Sequence, residues 1–395
     1  MNWVLYFFCL AWISLFTSQS LLDLSDTLIF VGALVVAFRA QEIKAYFQGF
    51  KPVWFWPLWL VVGIVGLLVN VGFHDSKPWV EFLEFRWILS FLAIIYLATR
   101  RLEMESWFRI LAGILAILNI VAFYLFLQDP YWRAGGILRE IMPFSQNIAP
   151  VFCIYALLVF VGWGDLKKND RYLYGFVALT SGLLTVLTFT RGVWIGCAVA
   201  LVVGLYIWNK KKALYMLLTL AVFTSVLILT NERIKERVFS KTTNETQSNS
   251  EREALWRGNW AIIKDHPLLG VGFNQNKNYL RHYYDQFGYP PGQRVSHAHN
   301  QYLQIWGGTG TLGLLCFLAF CGMILKKVYQ SLKELKGFNR ALQLSLYAAL
   351  IEFMVAALTE SNFNIAKNRY LFLMIAGIAL AVIAQNKKLQ TKGNP

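Results

Sequence analysis

The stretch RGVWIGCAVALVVGLYIWNKKKALYMLLTLAVFTSVLILT, residues 191–230, decides the class of fold. It contains two apolar runs, 192–208 and 212–230, with Lys210, Lys211 and Lys212 at their joint. Each run is about as long as a helix needs to cross a hydrocarbon core of ~30 Å. A cluster of cations between them suits a cytoplasmic loop, where Lys and Arg collect.

The same pattern recurs in both directions. Further apolar runs lie near 3–21, 27–38, 53–73, 82–98, 106–127, 147–164, 173–190, 302–325, 341–360 and 368–385. Together they make about twelve spans, of which the second is short and the seventh and eighth nearly touch. Composition agrees, because 57% of the residues are hydrophobic and 15% charged, against roughly 25% charged in a soluble domain. Fifteen Trp and eighteen Tyr fit amphipathic rings gathered at bilayer interfaces. The five cysteines, Cys9, Cys153, Cys197, Cys316 and Cys321, fall in apolar stretches with no CxxC pairing and read as small buried hydrophobes. The first run lacks a basic leader region and a small-residue cleavage site, so it is expected to remain as a span.

The net charge of +15 raises the question of a nucleic-acid surface. Its distribution answers that question. With a cytoplasmic N-terminus, inside segments hold Arg39, Lys44 and Lys51; Arg100 and Arg101; Lys167, Lys168 and Arg171; the 210–212 lysines; Lys326 to Arg340; and Lys387, Lys388 and Lys392. Short outside segments hold only Lys77, Arg133, Arg139, Arg191, Lys367 and Arg369. The alternation holds at every loop, so both termini are expected inside and no nucleic-acid partner is expected.

The expected fold is therefore an all-α polytopic membrane protein with about twelve transmembrane helices and one large external loop containing helices. Residues 1–230 carry nine spans, 231–299 the polar external loop, and 300–395 three spans and a tail. There is no internal repeat and no separate soluble domain. In the loop, Ser250-Glu251-Arg252-Glu253 reads as a capping box opening a helix. Leu255, Asn259 and Ile262 follow at helical spacing, with Trp256 and Ile263 alongside, and Pro267 stops it. Lys241 to Ser250 (KTTNETQSNS) is polar and reads as mobile.

All five histidines, His74, His266, His282, His297 and His299, are expected outside. Ser296 to Asn300 lies where the long loop re-enters the membrane, and an imidazole there can accept a proton from an incoming hydroxyl. His297 and His299, two positions apart with no nearby carboxylate, make a poor metal site, so no metal is expected. Gly307, Gly308, Gly310 and Gly313 either permit close helix packing or thin the helix so that a bulky lipid can lie against it. Arg191, between two runs with almost no loop, must face protein, water or an anion. Arg252, read at a helix start, is a cation where the macrodipole favours anions, which hints at a phosphate. Arg86, inside the fourth run, is a third buried cation, which Glu84 or Glu81 could pair. Together these residues describe a site for a diphosphate and a hydroxyl.

His299-Asn300 followed by Gly310-x-x-Gly313, Thr188-x-Thr190-Arg191 at a span end, Arg252 ahead of Trp256, and Asp265-His266-Pro267-Leu268-x-Gly270-x-Gly272 carry a resemblance. The chain resembles the Wzy/O-antigen ligase superfamily over most of its length. That resemblance implies a glycosyltransferase of the bacterial inner membrane, working on the periplasmic face without a metal or other cofactor. The donor would be a glycan on undecaprenyl diphosphate, the acceptor lipid A–core, and membrane lipid a further partner. His299 would be the general base, Arg191 and Arg252 would bind the diphosphate, and Asn300, Gly310, Gly313 and Arg86 are grouped with the substrate-binding residues.

Three activities share these marks: O-antigen ligase, repeat-unit polymerase, and protein O-oligosaccharyltransferase. The ligase is placed first by analogy. The oligosaccharyltransferases tend to carry more C-terminal sequence, whereas residues 386–395 alone follow the last run here. A lipid-linked glycan transporter would show inverted repeats and ionisable residues near the midplane. Here they gather at the external ends of spans.

Overall fold

The computed structural model describes residues 3–41, 55–70, 87–128, 133–230, 243–289 and 296–393. Among them are fourteen α-helices. The first nine are α1 (Trp3–Thr17), α2 (Gln19–Arg39), α3 (Phe55–Val69), α4 (Trp87–Arg101), α5 (Met104–Gln128), α6 (Ile141–Gly162), α7 (Lys168–Leu187), α8 (Arg191–Trp208) and α9 (Lys210–Thr230). Then come α10 (Thr243–Asp265), α11 (Asn276–Gln286), α12 (Gln301–Ser331), α13 (Gly337–Ala356) and α14 (Ala366–Gly393), with a 3₁₀ turn at Asn362–Asn364 before α14.

Among the described residues each of the twelve apolar runs overlaps a helix, while α10 and α11 occupy the polar segment. Six helices, α2, α5, α6, α8, α12 and α14, are long and apolar enough to cross a membrane. The chain is thus a multi-pass membrane protein, but twelve spans are not reached among the described residues. The apolar stretches of α1 and α3 are short, and α7 and α13 open on the polar residues Lys168-Asn169-Asp170-Arg171 and Gly337-Phe338-Asn339-Arg340.

The boundary between the first two runs moves. Ser18 is extended (φ −152°) and its Oγ accepts from Leu21 N, capping α2. The run expected over 3–21 therefore breaks at Ser18, and the short second run lengthens into a helix of 21 residues.

α6 lies at the centre, packed by α7, α8 and α13, while α14 packs on α4 and α12 on α3. Ile148, Val151, Cys153 and Leu157 of α6 are wholly buried. Polar groups inside this core are tied down. Tyr155 Oη donates to Phe108 O (3.1 Å), Asn119 Nδ2 to Ser181 Oγ (2.8 Å) and Gln343 Nε2 to Ala379 O (3.2 Å). Such bonds are required where no water can compensate a buried amide or hydroxyl. All five cysteines are free, as their apolar setting suggests.

The segment 243–289 has its own small core, including Ala254, Leu255, Ile262, Leu280 and Tyr284. It docks on α12 backbone to backbone. Val271 N donates to Gly307 O (3.1 Å), Gly272 N to Gly308 O (2.8 Å) and Thr311 N to Pro267 O (2.8 Å). The contact demands glycine. Gly310 (φ 65°, ψ −173°) interrupts α12, and a Cβ there would stand 2.1 Å from Leu268 O. A Cβ on Gly270 would lie 2.5 Å from the Gly308 carbonyl carbon.

Two readings of this segment are corrected. Ser250 is not an N-cap, because α10 runs through it from Thr243, and Thr243–Ser250 is helical rather than irregular; positions 241–242 lie outside the described residues. Once the apolar turns from Ala254 onward pack, adding polar turns costs one residue's ordering per hydrogen bond, so the helix propagates. Arg252 accordingly sits in the middle of α10, away from the helix start where its cation would oppose the macrodipole.

Candidate active site

Two helix starts and one helix face converge. Thr190, extended at φ −100°, is the N-cap of α8, and Arg191 is its first residue. Phe189 just before takes φ 52°. The same construction recurs at α12. Asn300 (φ −157°) is the N-cap, accepting from Leu303 N (3.0 Å), and His299 before it takes φ 47°. Left-handed backbone is strained for residues other than glycine, by roughly 1–3 kcal/mol, and persists where surroundings enforce it.

The surroundings of His299 do so. On one side, Trp256 Nε1 donates to Ala298 O (2.8 Å), and Ala298 N donates to Gln304 Oε1 (2.8 Å). On the other, Gln301 stitches α12 to the connection after α13. Gln301 N donates to Ala357 O (2.9 Å), Phe363 N to Gln301 Oε1 (2.8 Å) and Gln301 Nε2 to Asn364 Oδ1 (3.2 Å). Glu360 lies within that connection and is thereby held against His299.

Around these groups is a cavity of about 170 Å³. Arg191 and Thr190 reach it from α8, Glu251 and Arg252 from α10, and Arg133, His299 and Glu360 from connections. Arg252 Nη2 donates to Glu360 Oε1 at 3.3 Å, and His299 Nδ1 faces Glu360 Oε2 at 3.6 Å. Glu360 is nearly buried, with a side chain 2% exposed against 18% for His299. Arg133 acts on the Arg191 turn, donating through Nε to Thr188 O (2.6 Å) and through Nη2 to Thr190 Oγ1 (2.8 Å). Gly192 allows the close approach of α8 to the Glu360 connection, since a Cβ there would lie 1.8 Å from Thr359 Oγ1.

The arrangement offers an anion two kinds of positive field. Arg191, Arg252 and Arg133 line the cavity, and the first turn of α8 brings the positive end of its macrodipole to the same place. Beside them stands an imidazole whose Nδ1 faces a carboxylate, leaving Nε2 for a substrate proton. Among the described residues, no three His, Cys, Asp or Glu side chains are grouped so as to hold a metal ion.

Three of the residues singled out in the sequence, Arg191, Arg252 and His299, thus meet at one cavity although far apart in the chain. Asn300, Gly310 and Gly313 do not line it. Asn300 caps α12, and the glycines make room for Leu268 and for the Thr309 and Trp59 side chains, which is the close-packing alternative. Arg86 and His74 lie outside the described residues. Glu360, Glu251 and the clamping role of Arg133 were not singled out. Glu360 carried a signal, being an ionisable residue at the edge of an apolar run. Nothing local marked Glu251.

Residues 176–318 match the family model described as O-Antigen ligase. That family transfers lipid-linked glycans, by ligation or polymerisation. The matched segment contains Arg191, Arg252 and His299, while Arg133 and Glu360 lie outside it. No curated protein matches the chain.

Proposed function

We propose that the chain is a glycosyltransferase of the O-antigen ligase type. It moves a glycan from undecaprenyl diphosphate to lipid A–core at the periplasmic face of the bacterial inner membrane. The observation that carries this reading is the meeting of Arg191, Arg252 and His299 at one cavity, with Glu360 bridging the last two.

The geometry supports a direct displacement. The acceptor hydroxyl gives its proton to His299 Nε2 while its oxygen forms a bond to the anomeric carbon. The bond from that carbon to the phosphate oxygen breaks, and its electron pair leaves with the carrier diphosphate. Arg191, Arg252 and the α8 N-terminus stabilise the charge that develops there, in positions set before the reaction begins. Glu360 steadies His299 through Nδ1 and balances the imidazolium once the proton has moved. General-base help of this kind is worth roughly 10²–10⁴-fold. Fixing donor and acceptor in one geometry supplies much of the remainder.

The test is reconstitution of the purified protein with the carrier-linked glycan and rough lipopolysaccharide, read as a lipopolysaccharide gel shift. A ladder supports ligation. Longer chains on the carrier lipid with no shift move the activity to polymerisation, and neither product overturns glycan transfer.

A further inference from the structure

The polar segment 243–289 carries an exposed apolar edge. Along α10, Trp256 and Trp260 stand one turn apart and both are exposed, although α10 is not among the helices apolar enough to cross a membrane. Trp260 packs edge-on against Trp306 of α12, with ring centroids 5.5 Å apart. Leu268, just after α10, is 63% exposed, and its carbonyl accepts from Leu312 N (3.3 Å). Leu312 and Leu315 of α12 are exposed beside it. These side chains form one strip, running from the polar segment onto a helix long and apolar enough to cross a membrane. A contiguous strip, unlike a lone exposed leucine, marks a contact surface.

The length of α12 sets the depth of the strip. Lys326 and Lys327 end its apolar stretch. About twenty residues carry a helix through hydrocarbon, so counting back puts the opposite boundary near Trp306. Leu312 lies nearer the middle by about 9 Å, at ~1.5 Å per residue. Trp260, packed on Trp306, is therefore level with the boundary, and Leu268, bonded to Leu312, lies beneath it.

Two observations fit that depth. Indole rings collect at the water–lipid boundary, where one end of the ring is wet and the other apolar. The turn around Leu268 also meets the condition for irregular backbone below the surface, which is that its polar groups be bonded within the protein. Pro267 O accepts from Thr311 N (2.8 Å) and Gly270 O from Asn70 Nδ2 (3.2 Å), while Val271 N and Gly272 N donate to Gly307 O and Gly308 O. Lys264, exposed one turn beyond Trp260, has a stem long enough to return its charge to the headgroups.

We propose that the outer edge of α10 and the turn at Leu268 rest in the phospholipid bilayer that the spans cross, with Trp260 among the headgroups and Leu268 in the acyl chains. The contact also sets the depth of the reaction centre. Trp256 Nε1 donates to Ala298 O, next to His299, and Arg252 lies one turn before Trp256. On the glycan-transfer reading, the cavity is thereby held level with lipid-borne phosphates. The bilayer contact itself does not depend on that reading.

The test places a nitroxide on Trp260→Cys, Leu268→Cys and Leu315→Cys, one at a time, in the full chain in nanodiscs of phosphatidylethanolamine and phosphatidylglycerol. Wild type carried through the same labelling is the blank for the native cysteines. Power-saturation EPR compares collisions with oxygen, which enters lipid, and with a water-soluble nickel chelate, on a depth scale from lipids labelled at known carbons. The expected order is graded: Trp260→Cys at the phosphates, Leu268→Cys about 5–10 Å below them, and Leu315→Cys deeper still. Nickel collisions at Leu268→Cys equal to those of a free label in water would overturn the contact. Low access to both relaxants would overturn it too, with dipolar broadening if a second copy covers the strip. Leu268→Cys keeps every backbone bond named above, so its result stands even if Trp260→Cys loosens α10. No substrate enters the measurement, so a negative result leaves glycan transfer untouched, and failed transfer leaves the bilayer contact.

Discussion

Glu360 uses its two carboxylate oxygens on two different partners: Oε1 accepts from Arg252 Nη2 at 3.3 Å, and Oε2 lies 3.6 Å from His299 Nδ1. The second distance is slightly beyond a hydrogen bond, and such contacts tighten when substrate arrives. One buried acid therefore holds an imidazole and a guanidinium at the same cavity, the pair to which the proposed reaction gives the proton and the leaving group.

Glu360→Gln should then lower kcat by roughly 10²–10⁴-fold, the range of general-base help, with a smaller change in KM for the acceptor. Because Glu360 acts through His299, the double variant with His299→Gln should be no worse than His299→Gln alone. Steady-state kinetics on the four proteins decide it. Additive losses would show that Glu360 acts independently.

Arg133→Gln removes the clamp on Thr188 O and Thr190 Oγ1 and should let the Arg191 turn relax. Loss of donor positioning of about 1 Å is worth on the order of 10²-fold, and it should appear in kcat/KM for the donor. Arg133→Lys should not restore it, since an ammonium cannot make the same two-pronged contact. Arg139→Gln, exposed in the same connection, is the comparison and should match wild type.

Gly310→Ala places a Cβ 2.1 Å from Leu268 O in a backbone conformation reserved for glycine. Strain alone costs ~1–3 kcal/mol, and the clash with backbone adds to it, so little folded protein should be recovered. Gly322→Ala, with nothing within 4 Å of its new methyl, should be neutral or gain up to ~1 kcal/mol. Thermal midpoints in detergent separate the two, and equal midpoints would contradict the docking of 267–272 on α12.

The loop segment carries a pH dependence of its own. Burial pushes the phenols of Tyr279 and Tyr284 up to about 12, from an ordinary value near 10. The folded segment holds these protons more tightly than the unfolded one. Its stability is thus complete below pH ~10 and is lost as pH rises from there toward 12, by ~1.4 kcal/mol per unit for each group. Denaturation followed by tryptophan fluorescence at pH 9 and 11 checks this. An unchanged midpoint would sink it.

Much of this was legible in the sequence, and the failures are local. Apolar run length placed the bundle helices, because in a membrane the hydrocarbon alone decides what may cross. The Ser18 break was hidden because the apolar pattern runs on through a helix end that only a cap defines. Ser250 misled because a capping sequence can sit inside a helix that its neighbours extend. For the site, Arg191 stood out by its depth between two apolar runs, while position marked only the 296–300 cluster and the choice of His299 within it came from the family resemblance. Glu360 gains its meaning only from the fold, since nothing in the chain shows that position 360 returns to His299 through Gln301.

The central claim is transfer from a diphosphate carrier with His299 as base, and one comparison tests it most directly. Wild type and His299→Ala, matched for folding, are incubated in EDTA with carrier-linked glycan and rough lipopolysaccharide, and free undecaprenyl diphosphate is quantified beside the transferred glycan. The account predicts equal molar amounts of both products from wild type, and a loss of about 10²-fold or more in the alanine variant. Undiminished transfer by His299→Ala, or wild-type activity that disappears with EDTA, would contradict it.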